Sequence, residues 1–201
     1  MTWIKTISND DADGKLLKLY DRIKGPDNNV DNVMLAHSLR PHSMEGHMAL
    51  YKYVLHHPHN KIDKWFLEAA GIYTSMLNRC DYCVEHHFAG MHRLINDDEK
   101  AEKIRNALET ENLHKAFTDK ECIALEYVRM ITKYPMNLTE DDIQKLRDVE
   151  WTDGEILELN QVASYFNYAN RMVLGLGVTT EGDILGLSPN DSDDLDNWQH
   201  K

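Results

Sequence analysis

The chain has 201 residues, 42% hydrophobic and 28% charged, ordinary globular material that at this size buries about 70% of its unfolded surface in one domain. Its 22 Lys and Arg stand against 34 Asp and Glu, a net charge of −12, which argues against nucleic acid and anionic membrane surfaces as partners. No apolar stretch approaches the ~18 residues of a membrane span, and Met1 to Asp11 lacks the basic-then-apolar order of a secretion signal, so a soluble cytoplasmic protein is expected.

Apolar residues recur three and four apart along most of the chain and no Val/Ile/Thr-rich segment alternates, which predicts an all-α fold. Helices are expected at about 11 to 24, 31 to 38, 41 to 56, 61 to 78, 81 to 95 and 98 to 109, with Pro41 suited to a first turn. Three further helix starts carry a capping hydroxyl with an acid three residues on: Thr118 with Glu121, Thr139 with Asp142, and Thr152 with Glu155. The first helix ends at Pro135, the second is short, and the third runs from about Asp153 to Leu176, where Gly175 and Gly177 mark its end. Short connections favour one compact domain over residues 1 to 180. The acidic tail, 181 to 201, holds Asp191, Asp193, Asp194 and Asp196, and is expected to be loosely held or to strap across a neighbouring subunit; Trp198 alone calls for burial.

Three cysteines do not make a disulfide framework. Cys80-Asp81-Tyr82-Cys83 follows the helix-breaking Asn78-Arg79, which puts both sulfurs in or just before a first turn. There the unpaired N–H groups and the helix dipole favour thiolate, while Asp81 and Glu85 oppose it. His86 and His87 follow Cys83 by three and four residues, on the same side of the helix, where an imidazole can take the thiol proton. Spacing does not choose between them.

Glu68 lies in Trp65-Phe66-Leu67-Glu68-Ala69-Ala70-Gly71-Ile72-Tyr73, a helix apolar on most sides and therefore central. With Gly71, Ser75 and Asn78 it forms a narrow polar or small stripe pointing toward Cys80. A carboxylate there needs a partner, and is either a structural anion or a proton-transfer group. The six histidines from His37 to His59 read as solvated surface, Cys122 as a small core residue, and Tyr165, Phe166 and Tyr168 as core or subunit interface. No phosphate-binding loop is present and no cofactor is expected.

The central residues admit two assemblies: a zinc site of Cys80, Cys83, His87 and Glu68, or a redox pair in which Cys83 attacks a peroxide and Cys80 closes a disulfide. The pattern Glu68, eleven residues, Cys80-x-x-Cys83, three residues, His87 resembles the signature of the alkylhydroperoxidase D-like members of the carboxymuconolactone decarboxylase superfamily. Ala36 to Pro41 and Tyr165 to Arg171 through Val178 are similar to its uncharacterised peroxidase-related branch, so the resemblance covers about residues 30 to 180. It implies an all-helical, homo-oligomeric peroxidase, from dimers and trimers to hexamers, with Cys83 peroxidatic, Cys80 resolving, and His87 and Glu68 as proton relay. It also implies an external dithiol reductant, a lipoylated carrier protein being the family's known one; against the zinc assembly, no bound metal is expected. Tyr82 departs from the pattern, since alkylhydroperoxidases often carry histidine just before the second cysteine, and Tyr82 and His86 are secondary candidates. The decarboxylase members lack the cysteine pair. A general thiol-disulfide oxidoreductase or a non-catalytic helical scaffold are the alternatives.

Overall fold

The computed structural model describes residues 1–189, 194 and 197–201. Among them the chain forms nine α-helices: α1 Gly14–Ile23, α2 Asn32–Leu35, α3 Pro41–Leu55, α4 Lys64–Leu77, α5 Asp81–Ile95, α6 Asp98–Glu109, α7 Asp119–Lys133, α8 Glu140–Asp148 and α9 Asp153–Leu176. A single antiparallel bridge, Pro189 to His200, is the only extended pairing among these residues. The expected helix order holds throughout; α2 stops at Leu35 and continues as a turn to Leu39, and α1 and α4 each start three residues later than expected.

Local chemistry sets the helix starts. Thr118, Thr139 and Thr152 each give their backbone N–H to the carboxylate three residues on, at 2.8, 3.0 and 2.8 Å. α5 ends on Asn96, with φ 50°, and α9 on Gly177, with φ 61°.

α4 is the hub, packed against α3, α5, α6, α7 and α9. Every residue from Phe66 to Ser75 is buried, which explains an amino-acid run apolar on nearly all sides. Its contact with α9 depends on Gly71, because a Cβ there would lie 2.2 Å from Phe166 Cε2. Gly71→Ala is therefore expected to cost about 1–3 kcal/mol by overpacking, measured by denaturant unfolding. Unchanged stability would mean that the Phe166 ring yields freely.

The two ends of the chain lie across this bundle. Trp3 N–H donates to Leu176 O at 2.9 Å and Thr179 N–H to Met1 O at 2.9 Å, which ties the N-terminal arm to the end of α9. The segment after α9 differs from the expected loose tail, because its described residues pack on their own chain. Trp198 is buried beneath the Arg22 guanidinium, 3.9 Å from the ring centroid. Buried Lys52 donates to the carbonyls of Asp194 and Asn197 at 2.9 and 2.6 Å, and His200 Nδ1 donates to Ile23 O at 2.6 Å. Gly186, at φ +77°, brings the backbone so close to α5 that a Cβ would meet Ala89 at 2.8 Å. Packing holds the described residues despite the segment's acidity: Trp198 lies against Arg22 of α1, and the carbonyls of Leu185, Gly186, Asp194 and Asn197 accept from Arg93 of α5 or Lys52 of α3.

Candidate active site

The link between α4 and α5 sets the sulfurs. Arg79 takes a left-handed conformation, φ 58°, and turns the chain so that Cys80 is the N-cap of α5 and Cys83 lies in its first turn. The sulfurs are 3.2 Å apart and both thiols are free and buried. They sit in a small apolar cluster with Ala36, Tyr82, Val173 and Val178, separate from the main core. Glu85, which in sequence opposes a thiolate, is drawn off by Arg105, Nη2 to Oε1 2.6 Å. Asp81 remains as an opposing charge.

The pair ionises as a unit. Cys80 falls below the usual thiol range, first because the Cys83 thiol donates to it. Cys83 is held well above that range by the same hydrogen bond, then by burial and the charge on Cys80. One negative charge is thus easy to place on the pair and a second is hard. Moving the shared proton across 3.2 Å decides which sulfur bears the charge.

Asn170 on α9 is a site residue that the sequence reading does not single out. It is fully buried, accepts from Asn78 Nδ2 at 3.0 Å, donates to Ser75 Oγ at 3.0 Å, and its amide favours the charged form of either sulfur. Its position among the apolar residues of α9 is the signal that could reveal it.

Glu68 and His87 meet, a choice between the two histidines that spacing left open: Glu68 is 2% exposed and its Oε2 accepts from His87 Nδ1 at 2.6 Å. That bond fixes the imidazole tautomer and leaves Nε2 for proton transfer. The His87 ring is also held edge-on by Phe166, centroids 4.5 Å apart. His86 points to a different carboxylate, Asp183, with Nε2 to Oδ2 3.1 Å. Tyr82 OH donates to the same oxygen at 2.7 Å and accepts from Val33 N–H at 3.2 Å. The geometry therefore separates the two histidines: His87 pairs with Glu68 on α4, whereas His86 and Tyr82 hold the segment after α9.

Cys83, Glu68, His86 and His87 line a chamber of about 50 Å3, together with Tyr51 and Tyr165. Cys80 lines a separate, more open groove with Arg79, Asp81, Glu85, Leu174 and Thr180. The reading of the histidines from His37 to His59 as solvated surface is corrected, since His37, His47 and His56 are buried. His47 lines the chamber, and His56 Nε2 is 3.7 Å from Glu68 Oε1. Each lies on the inner face of α3 or its flanks, which an apolar-only search for core positions passes over. Tyr165 and Phe166 are buried and Tyr168 is exposed, and Cys122 is a buried thiol raised by desolvation. Among the described residues no group of three or more His, Cys, Asp or Glu is arranged to hold a metal ion. No described helix is long and apolar enough to cross a membrane.

A peroxidase-related protein from Ralstonia eutropha JMP134, described as an alkylhydroperoxidase AhpD core, superposes with a TM-score of 0.74 at 19% identity, over 89% of this chain and 91% of that one. This chain has the AhpD-like fold. A second uncharacterised peroxidase-related protein, from Silicibacter sp. TM1040, is similar at a TM-score of 0.67 and 21% identity, over 75% of this chain and 76% of that one. The debrominase Bmp8 shares the AhpD-like architecture too, at a TM-score of 0.68 and 16% identity, over 87% and 89% of the two chains. No family model matches the sequence, and no curated protein matches it.

Proposed function

We propose that this AhpD-like protein is a thiol-dependent peroxidase. The observation that carries the reading is that Cys83, 3.2 Å from a second thiol, shares its chamber with the Glu68–His87 pair. His87 Nε2 takes the first proton of the sulfur pair, Cys83 thiolate attacks one peroxide oxygen, an S–O bond forms as the O–O bond breaks, and the leaving oxygen takes that proton back from Nε2. Cys80 then displaces hydroxide from the Cys83 sulfenic acid, giving a disulfide and, with the Cys80 proton, water. The sulfurs need to close by only about 1 Å to reach bonding distance.

An external dithiol reopens the disulfide and carries away the two electrons. The groove beside Cys80 supports attack on that sulfur, distinct from the peroxide side. A lipoylated carrier is the proposed reductant, and a homo-oligomer the proposed assembly. Rate against pH is expected to rise with the first ionisation of the sulfur pair, below the ordinary thiol range.

Mass spectrometry after one equivalent of peroxide is the test. The reading requires loss of two hydrogens across the peptide holding Cys80 and Cys83. Cys80→Ser should block that loss and instead leave oxygen on Cys83, as sulfenic and then sulfinic acid. If neither sulfur changes in the native protein, peroxide is not the substrate.

A further inference from the structure

The chamber over Cys83 has walls of one electrostatic kind. Asp31 and Glu68 line it, and no Lys or Arg does among the described residues. Asp183 stands behind it, bonded to Tyr82 and His86. Of the four lining imidazoles, His86 and His87 already face their own carboxylates. The other two are kept neutral: burial and then His37 bring His47 down to about 3, and burial brings His200 down to about 4. Asp31 takes an amide hydrogen bond from Asn29 at 2.8 Å. Burial pushes its carboxyl up to about 6, so it is largely ionised above neutrality. The active sulfur pair adds a further negative charge.

Size acts in the same direction. About 50 Å3 accommodates a few water-sized groups. Part of the wall is made by Leu187, Ser188 and His200, on the segment that Gly186 presses against α5 and Lys52 holds by its carbonyls. Here the thiolate is supported by a neighbouring thiol and a helix N-terminus, not by a Lys or Arg that would also draw in anions.

Resting on the peroxidase reading, we propose that the chamber selects by charge, admitting small uncharged oxidants and rejecting those that carry negative charge. An anion entering it loses hydration, finds no Lys or Arg in exchange, and meets Asp31 and the sulfur charge, while any charge on His86 or His87 is already faced by its own carboxylate. Selection by the walls would operate before any chemistry at sulfur.

Two alkylating reagents that differ mainly in charge, iodoacetamide and iodoacetate, test the walls without using turnover. Cys83 labelling in the reduced native protein at pH 7.5 is followed by peptide-resolved mass spectrometry, and each rate is divided by that of free cysteine. Iodoacetate should lag by about tenfold or more beyond the free-cysteine ratio, and hydrogen peroxide should likewise outpace peroxymonosulfate once each is normalised to free cysteine. Asp31→Asn should shrink the gap. Ser188→Lys, which adds a cation at a partly exposed wall position, should also shrink it and guards against misfolding of the first variant.

A flat ratio, a preference for iodoacetate, or labelling by neither reagent overturns the proposal. If peroxide turnover is normal while the ratio is flat, charge selection fails and the peroxidase reading stands. If no peroxide oxidises Cys83 while the alkylation gap holds, the peroxide substrate is overturned and a chamber for some other uncharged electrophile remains.

Discussion

Cys83→Ser is expected to abolish peroxide consumption in the presence of excess dithiol. Serine keeps the size of the side chain, but at neutral pH its hydroxyl supplies no anion comparable to a thiolate. Cys80 cannot stand in, because it lines the groove and not the chamber. The substitution also removes the partner that eases ionisation of Cys80. Stopped-flow measurement of peroxide loss, with a melting curve on the same sample, checks both activity and fold. Turnover retained in a folded Cys83→Ser protein would sink the assignment.

Glu68→Gln should slow peroxide reduction by about 10²-fold, the usual scale for losing a general acid or base. The amide oxygen of glutamine can still accept from His87 Nδ1, so the 2.6 Å contact and the tautomer it fixes have a substitute. What disappears is the negative charge that offsets positive charge on the ring while a proton passes through Nε2. The limb of the pH profile that reports this pair should flatten. A purely structural Glu68 gives the opposite split, with lower stability and full turnover per folded molecule. His56, 3.7 Å from the other carboxylate oxygen, ensures that some stability change accompanies either outcome. The two quantities must therefore be read together.

The sequence was most legible where the physics is local. Caps such as Thr152 with Glu155 and the stop at Gly177 act within one turn of backbone, so spacing alone locates them. Glu68 and the cysteines were legible for a related reason: a helix, a tight turn at Arg79 and another helix give few ways to place the residues between them. Periodicity did not reveal which histidine meets which acid. Cys83 presents both positions to one side, and only the fold supplies Asp183, 97 residues from His86. Asn170 was missed for the same reason, since its role depends on α4 and α5 arriving beside α9. The burial of His37 and His47 is hidden from the sequence because histidine types say little about exposure until the ring neighbours are in place, here Tyr165 against His47 and His47 against His37.

Asp183 leaves the ribosome 101 residues after Tyr82, to which it is bonded. The helices bearing the thiols can assemble while that stretch is still being translated, since domains build from the N-terminal side. A nascent chain at that stage has its two thiols beside a half-built compartment, without the Asp183 contacts that hold the later segment to Tyr82 and His86. Closing so distant a contact is also among the slower steps of assembly. The interval between making the sulfurs and sheltering them is therefore when this protein is most exposed to accidental oxidation, and the reducing power of its surroundings matters most during its synthesis.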